Sequence, residues 1–379
     1  MRLDSFEKVL MLMFFTSLLL FSCGYQESSN TTWVFAVYMA GDNSLSDYAT
    51  LDLKEMMDAG ADDNVKVVVL CDRGEGTTLY EVKKGWLEPV ESFGNLDTGD
   101  PSTLALFLDA IKNRYSYKKI ALVFWDHGDG WQDAAFDDSS RSSLKMSEIK
   151  RILDSRNFHV DFLGFDECLA GMAEVFYTFK NSSNVTVASE ASEPGFGWDY
   201  KDLIERLKRN YSWNGEDLGK AAVDSYYQFY TNRTEYCQPD CTLAAVTGKN
   251  ATDITYYVNL LASYGLNGTV SLLQDYYYAR DNSLEPEPVY FPFYVDLYSF
   301  SKSLNATTTD LNVKIAATNL MSVIGGIYFK STNSSLKGVS IYFPNDVYDY
   351  FDAYFNSSVN EFTGTLWDDF LVKYYGVLP

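Results

Sequence analysis

Two residues able to do nucleophilic chemistry stand at the ends of strand-like segments. Ile120–Trp125 is an uninterrupted apolar run, typical of a strand buried on both faces of a parallel sheet, and it stops at a polar turn containing His127. A second such pattern, Val160–Cys168, ends at a cysteine 41 residues after His127. Because open α/β sheets place their chemistry at the carboxyl ends of strands, Cys168 and His127 are candidates for a nucleophile and its acid–base partner.

The same placement is compatible with purely structural roles. Cys168 could be a small buried hydrophobic residue and His127 a hydrogen-bonded residue at a strand end. Of the other cysteines, Cys71 ends an apolar run and is most simply a core residue. Cys237 and Cys241 flank a Pro-containing turn, where they could form a local disulfide in an oxidising compartment. A metal site there would need two further soft ligands, which the neighbouring sequence lacks, so we expect no metal.

The amino-terminal residues 1–22 have the pattern of a signal peptide. Arg2 and Lys8 precede the apolar run Val9–Phe21, whose 13 residues are too few to span a bilayer. The sequence L-F-S-C-G around Cys23 resembles a lipobox, in which the cysteine becomes lipidated and anchors the protein to a membrane. Ordinary cleavage and secretion is the alternative. Residues 23–32 are mainly polar and indicate a tether.

Composition also indicates an extracellular protein. The net charge is −22, which disfavours binding to nucleic acid and suits a cationic substrate, although a charged surface tuned for solubility would look the same. Ten Asn-x-Ser/Thr sequences are candidate glycosylation sites of a glycoprotein, with their asparagines at Asn30, Asn181, Asn184, Asn210, Asn232, Asn250, Asn267, Asn305, Asn333 and Asn356.

Strand patterns alternate with helical patterns over residues 33–200. This alternation predicts an α/β fold with a mostly parallel central sheet between layers of helices. Residues 201–320 are mainly helical and are interpreted as an insertion, whereas residues 321–379 return to strands and a final helix that complete the core. The polar stretch Gln132–Ser143 is predicted as a loop between the His127 and Cys168 segments.

Several motifs, in order, resemble the clostripain family of cysteine peptidases, which belongs to the same clan as caspases, legumains and gingipains. The resemblance is most specific over about residues 33–200 and reappears from about residue 338. It implies a caspase-like α/β/α sandwich and a cysteine endopeptidase. The motifs are W-V-F-A-V-Y-M-A-G-D-N-S-L (33–45), F-W-D-H-G-D-G-W (124–131), F-D-E-C-L-A-G-M-A-E-V (165–175), S-E-A-S-E-P-G-F-G-W (189–198) and G-V-S-I-Y-F-P (338–344).

The resemblance assigns catalytic roles to matching residues. Cys168 matches the family nucleophile and His127 the family histidine, which would protonate the leaving amine without needing to touch the sulfur in the resting enzyme. We expect a helix N-terminus and the imidazole to lower the pKa of the Cys168 thiol. The backbone N–H groups of Gly128 and Cys168 are the expected oxyanion donors.

Substrate preference is predicted from Asp166, two residues before Cys168. Clostripain-like enzymes place a carboxylate there at the base of the S1 pocket, and alternation along a strand puts both positions on the same side. Such a carboxylate implies cleavage after Arg or Lys, although Asp166 could instead cap the following helix. The segment Ser189–Trp198, in the next motif, is expected to line the same pocket, with Pro194 and Gly195 shaping a loop. Ser189 and Glu190 are its candidate substrate-binding residues.

Similar enzymes cut themselves between the histidine and cysteine segments, so Arg141 and Lys145 are candidate sites of self-cleavage. No cofactor is required by this chemistry, although some family members use calcium and the acidic chain would allow it. Two alternatives remain at this stage. One is a surface binding or adhesion protein on a caspase-like scaffold. The other is a sibling peptidase with a different P1 preference, for acidic residues or Asn.

Overall fold

A computed structural model describes residues 31–237, 240–333, 335–345 and 352–377. The predicted signal peptide and Cys23 lie outside these ranges. No helix in the described ranges is long and apolar enough to cross a membrane.

Thirteen strands occur in the described part of the chain, and nine of them form one central sheet. They are β1 Trp33–Ala40, β2 Val65–Asp72, β3 Thr77–Lys83, β4 Trp86–Gly94, β5 Lys119–Trp125, β6 Asp133–Asp137, β7 Ser142–Lys145, β8 Phe162–Asp166, β9 Val185–Ala188, β10 Thr242–Thr247, β11 Tyr294–Asp296, β12 Tyr328–Ser331 and β13 Ser340–Tyr342.

The central sheet has the strand order β12-β10-β9-β8-β5-β1-β2-β3-β4. Its middle strands, β9, β8, β5, β1 and β2, pair in parallel, and antiparallel pairs extend the sheet at both edges. Because two successive antiparallel pairings restore the original direction, only β3 and β10 are reversed. The sheet is therefore mostly parallel, as predicted.

Eleven α-helices occur in the same ranges, with short 3₁₀-helices at Thr234–Tyr236, Asp352–Phe355 and Glu361–Gly364. They are α1 Ser46–Ala59, α2 Pro101–Arg114, α3 Met146–Ser155, α4 Ala173–Phe179, α5 Tyr200–Arg209, α6 Gly215–Thr231, α7 Gly248–Asn267, α8 Val270–Asp281, α9 Leu297–Thr307, α10 Leu311–Gly325 and α11 Trp367–Val377.

The helices cover both faces of the sheet, and β1 shows why. Every residue of β1 is buried, and alternate side chains enter two different cores. Trp33 and Phe35 pack with α1, α5 and α6 on one face. Val34 and Ala36 belong to the other core, which contains α2, α3, α4 and the helices from α7 onward. This three-layered arrangement confirms the predicted α/β/α sandwich.

Helix α2 shows how local sequence sets an element boundary. Its N-cap is Asp100, whose carboxylate accepts a hydrogen bond of 2.7 Å from the backbone N–H of Ser102. Pro101 follows at the first helical position, where its fixed φ suits the helix and its missing N–H leaves no bond unmade. Leu104 and Leu108 of α2 pack into the core on the face of the sheet opposite to α1.

Two segments differ from the sequence-based interpretation. Gln132–Ser143, predicted as a loop, contains β6 and the start of β7, which pair as an antiparallel hairpin. Residues 201–320 are mainly helical as expected, but they also contribute β10, which pairs with β9 inside the central sheet. This segment therefore supplies part of the sandwich rather than only an addition to it.

Candidate active site

Three of the sequence-predicted site residues meet at a cavity of about 380 Å³ at the carboxyl ends of β5 and β8. His127, Asp166 and Cys168 all line it, which brings together the residues chosen for chemistry and for specificity. The full lining is Leu45, Tyr48, Trp125, Asp126, His127, Asp166, Glu167, Cys168, Glu193, Pro194, Gly195 and Gly197.

A second surface depression, of about 840 Å³, lies at the opposite end of the sheet. It contains His159, the other histidine of the chain, whose Nε2 atom is 2.9 Å from the side-chain oxygen of Asn184. No cysteine lines this depression, so the smaller cavity is the candidate active site.

The pairing of β5 with β8 places the two catalytic candidates side by side. Trp125 is the register partner of Asp166, and the N–H of Asp126 donates to the Asp166 carbonyl across 3.3 Å. His127 and Cys168 each lie two residues beyond this last pair, at the same edge of the sheet.

Gly128 allows the two loops to touch. A Cβ atom at this position would lie 2.6 Å from the carbonyl oxygen of Cys168 and 3.0 Å from the Cβ atom of Glu167. Such distances are too short for any side chain, so only glycine permits this approach of backbone to backbone. The structure thus places Gly128 against Cys168, the second predicted oxyanion donor.

The Cys168 sulfur lies in a half-buried position. The backbone N–H of Glu193 donates to it across 3.2 Å. Burial raises the pKa of the thiol to about 11; the Glu193 N–H opposes this rise, and the Glu167 carboxyl adds to it. The expectation of a lowered pKa is therefore wrong. Helix α4 begins only at Ala173, so Cys168 does not lie at a helix N-terminus.

His127 is held by a residue that sequence reasoning did not identify. Its Nε2 atom lies 2.9 Å from the hydroxyl oxygen of Ser44, in the loop that follows β1. Partial burial lowers the pKa of His127, an effect that Asp138 opposes. The imidazole is therefore neutral at pH 7 and able to accept a proton.

Asp166 forms the closed end of the cavity. Its side chain is buried and accepts hydrogen bonds from the Tyr200 hydroxyl, 2.7 Å away, and from the Trp198 N–H, 3.4 Å away. Burial raises the pKa of Asp166 to about 6, and the Tyr200 hydrogen bond opposes that rise. Asp166 does not cap α4, because the N-cap of that helix is Met172.

Glu193 is a further carboxyl-bearing residue of the cavity lining, which also contains Asp126, Asp166 and Glu167. Both of its carboxylate oxygens are shielded from solvent without a hydrogen bond of good geometry. Burial, followed by the charges of Asp166 and Cys168, raises the pKa of Glu193 well above its usual value. Glu193 lies within the segment 189–198 that is expected to line the pocket, although the sequence does not single it out from its neighbours.

Ser189 and Glu190 do not line the cavity, so the prediction is wrong for these two residues. Other residues of the same segment, Glu193, Pro194 and Gly195, do line it. Ser189 and Glu190 are completely buried. The Ser189 hydroxyl donates to the carbonyl of Ala191 across 3.0 Å, and the Glu190 carboxylate accepts from the Gly338 N–H. Ser189 and Glu190 follow directly after β9 and are buried in the interior. Residues of this segment line the cavity only from Glu193 onward.

The other predicted positions lie away from the cavity. Arg141 is exposed at the turn of the β6–β7 hairpin, where its φ is 57°. Lys145, at the end of β7, forms an ion pair with Asp133. Self-cleavage at either residue stays a prediction. Cys237 and Cys241 are joined by a disulfide.

Calcium dependence also stays a prediction. In the part of the chain that the structure describes, no group of three or more His, Cys, Asp or Glu side chains is arranged to hold a metal ion.

Comparison with known proteins gives a family match. The sequence profile of the clostripain family, Peptidase C11, matches residues 37–374. Clostripain of Hathewaya histolytica is 28% identical over 237 residues, a match that covers 50% of this chain and 45% of the relative. The chain thus spans less than half the length of that relative.

Two solved structures share the fold. A secreted C11 cysteine protease from Bacteroides thetaiotaomicron, in complex with an irreversible peptide inhibitor, is 18% identical with a TM-score of 0.72, covering 89% of this chain and 99% of that one. An inactive zymogen C11 protease from Parabacteroides distasonis is 17% identical with a TM-score of 0.66, covering 90% and 98%. From the profile match across most of its length, the chain belongs to the clostripain family.

Proposed function

We propose that this protein is a cysteine endopeptidase that cleaves polypeptides after Arg or Lys. The observation that carries the proposal is the composition of one cavity. It combines a thiol and an imidazole at its rim, Cys168 and His127, with the buried carboxyl group of Asp166 at its closed end. Membership of the clostripain family supports the same chemistry.

In the empty site, Cys168 is a neutral thiol and His127 a neutral imidazole, because the pKa of the thiol is raised and that of the imidazole is lowered. When substrate binds, His127 takes the thiol proton and the sulfur attacks the carbonyl carbon of the scissile bond. The N–H groups of Gly128 and Cys168 are the proposed donors to the oxyanion that forms. Its collapse breaks the C–N bond, and His127 returns the proton to the leaving amine. Water then hydrolyses the thioester.

The proposed preference for a basic P1 residue rests on Asp166 and Glu193, two of the carboxyl-bearing residues that line the cavity. A carboxylate removed from water attracts a guanidinium or ammonium group strongly, because solvent does not screen the interaction. Asp166 is oriented by Tyr200 and Trp198, so its oxygens are held in place before substrate arrives. Arg can bond two carboxylate oxygens at once, and Lys binds as a point charge.

The protein is also proposed to act outside the cell. The apolar amino terminus, the ten candidate glycosylation sequences and the disulfide between Cys237 and Cys241 support this location. Anchoring through a lipidated Cys23 is the finer proposal. Expression of the full chain and of Cys23→Ala, followed by detergent phase partitioning, tests it; equal partitioning of both forms would exclude the anchor.

A panel of fluorogenic peptides that differ only at P1 tests the proposed specificity. Peptides with Arg or Lys at P1 should be cleaved at least about a hundredfold faster than those with Ala, Asp or Asn. Cys168→Ala is the control, since it removes the nucleophile and should abolish cleavage. Faster cleavage after Asp or Asn would identify a sibling peptidase instead. If no peptide is cleaved and Cys168 resists an acyloxymethyl-ketone probe, a binding protein on this scaffold becomes the better interpretation.

A further inference from the structure

The segment 284–293, called here the tip loop, exposes apolar side chains beside the proposed nucleophile. Val289 is 73% exposed and Tyr290 is 76% exposed, the two highest values among the large hydrophobic residues of the described ranges. Exposed apolar residues that stand together commonly mark a binding surface.

The tip loop is attached to the cysteine side of the site. The Ser192 hydroxyl donates a hydrogen bond of 2.8 Å to the carboxylate of Glu287. Ser192 directly precedes Glu193, whose N–H lies 3.2 Å from the Cys168 sulfur. Glu287 is only 7% exposed, so this attachment is shielded from water.

The residue that follows the tip loop is attached to the histidine side. The Tyr294 hydroxyl donates to the backbone carbonyl of Asp129, two residues after His127. A Cβ atom on Gly130 would lie 2.9 Å from the Tyr294 hydroxyl oxygen, which shows how closely the two segments pack. The tip loop is thus attached to the Cys168 side through Glu287, and Tyr294, the residue that follows it, is attached to the His127 side.

The conformation of the tip loop is fixed from within. The N–H of Phe291 donates to the Glu287 carbonyl across 2.9 Å and closes a turn around Val289 and Tyr290. The Phe291 ring stacks on Tyr294 with centroids 5.8 Å apart. Prolines at positions 286, 288 and 292 restrict the backbone further. A surface ordered before its ligand arrives loses less conformational entropy on binding.

The attachment of the tip loop next to the residues that contact Cys168 points to the substrate as the occupant. Val289 is two residues from Glu287, so their Cα atoms are separated by no more than roughly 7 Å. An extended peptide advances about 3.3 Å per residue, so a substrate bound at Cys168 extends beyond the cavity within a few residues of P1. On the basis of the proposed function, we propose that Val289 and Tyr290 bind an apolar side chain of the substrate next to the scissile bond.

The site thus recognises the substrate through two elements of different chemistry. The Asp166 end of the cavity selects charge at P1, and the tip loop selects an apolar residue adjacent to it. Such a site would favour basic residues that occur beside apolar segments of a polypeptide.

Two series of peptides with Lys at P1 test the proposal on the full chain. One series compares Leu with Asp at P2, and the other makes the same comparison at P1′. We expect a preference for Leu of about tenfold or more in one series, as a single apolar contact typically gives. In a double variant, Val289→Ser with Tyr290→Ser, that preference should fall at least about threefold. Tyr290→Trp, which keeps an aromatic surface, should retain it.

Tyr256→Ser is the matched control, because Tyr256 is also exposed but lies on α7. Each variant is also assayed for its Lys-to-Ala preference at P1, which should be unchanged if the site is intact. Efficient cleavage after Lys with no preference for Leu in either series would overturn the tip-loop proposal alone. The same preference in the double variant as in the unmodified protein would also overturn it. Absence of any cleavage would overturn the proposed function and this inference together.

Discussion

The hydroxyl of Tyr200 donates a hydrogen bond of 2.7 Å to the carboxylate of Asp166 at the closed end of the cavity. This bond favours the ionised form and limits the effect of burial, so the pKa of Asp166 rises only to about 6. Glu193, without a comparable donor, has a pKa raised well above its usual value. Of these two carboxyl groups, Asp166 therefore loses its proton more readily than Glu193 in the empty cavity.

Asp166→Asn should remove the preference for basic residues at P1. Leaving the substrate cation without its partner costs about 2–5 kcal/mol, so kcat/KM for Lys peptides should fall roughly thirtyfold or more. Peptides with Ala at P1 should be affected little. Asp63→Asn, at an exposed position, is the control. An equal loss on Lys and Ala peptides would mean that Asp166 supports the fold of the site rather than its selectivity.

Activity toward Lys peptides should fall as the pH drops through about 6, the pKa of Asp166. Protonation removes the charge that binds the P1 cation, so the fall should appear mainly in KM. Alkylation of Cys168 by iodoacetamide should rise with pH well beyond neutrality, because burial raises the pKa of the thiol to about 11. A thiol that reacts with a midpoint near pH 6 would contradict the resting state described here.

Gly128→Ala should damage both activity and stability. The new methyl group would lie 2.6 Å from the Cys168 carbonyl oxygen, which forces the two catalytic loops apart. We expect a loss of about 1–3 kcal/mol in the free energy of unfolding and roughly a hundredfold in kcat. Gly325→Ala is the control, because a Cβ atom there meets nothing within 4 Å. Equal behaviour of both variants would disprove the close approach.

Asp52→Asn should stabilise the protein at alkaline pH. Asp52 is buried, accepts a hydrogen bond of 2.7 Å from the Trp125 indole, and has a pKa raised to about 9, chiefly by burial. The folded protein therefore keeps a proton that the unfolded chain has lost, so this group's contribution to stability declines as the pH rises from about 4 to about 9. Asparagine does not ionise.

Urea unfolding of both forms at pH 5 and pH 8 measures this effect. The free energy of unfolding of Asp52→Asn should exceed that of the unmodified protein by at least about 1.4 kcal/mol at pH 8, the equivalent of one pKa unit. The difference should be smaller at pH 5. A stability difference that does not grow between pH 5 and pH 8 would contradict the raised pKa of Asp52.

Self-cleavage, if it occurs, should take place at Arg141 rather than Lys145. Arg141 is exposed at a hairpin turn, whereas Lys145 is engaged by Asp133. Mass spectrometry of the purified full chain should find two fragments that meet after residue 141, and Arg141→Ala should remain whole. Fragments that persist in Cys168→Ala would point to another protease in the preparation.

The parts of the site predicted from sequence are those set by the strands. The apolar run before His127 and the pattern before Cys168 specify two neighbouring parallel strands, and parallel strands end at one edge. The role of Asp166 was predicted from the family resemblance, and Asp166 lines the same cavity. These residues are close in sequence to the elements that position them, so local pattern was sufficient.

The parts that failed depend on loop conformation and distant contacts. Leu169 has a φ of 66°, which delays the helix after Cys168, and nothing about a leucine predicts that conformation. The β6–β7 hairpin has a polar sequence and is held from outside: Asn43 donates to the Phe136 carbonyl across 3.1 Å. Tyr200 and Ser44 belong to other elements of the chain. Their contacts with Asp166 and His127 therefore cannot be predicted from sequence spacing.

The hydrogen bonds between β5 and β8 also decide what a cut at the hairpin turn would do. These strands are neighbours in the sheet yet lie on opposite sides of Arg141 in the chain. A nicked protein would therefore migrate as one particle on a sizing column and as two bands on a denaturing gel. Once denatured, its two pieces would have to find each other by diffusion, so recovery of the native form would become a second-order process that slows on dilution.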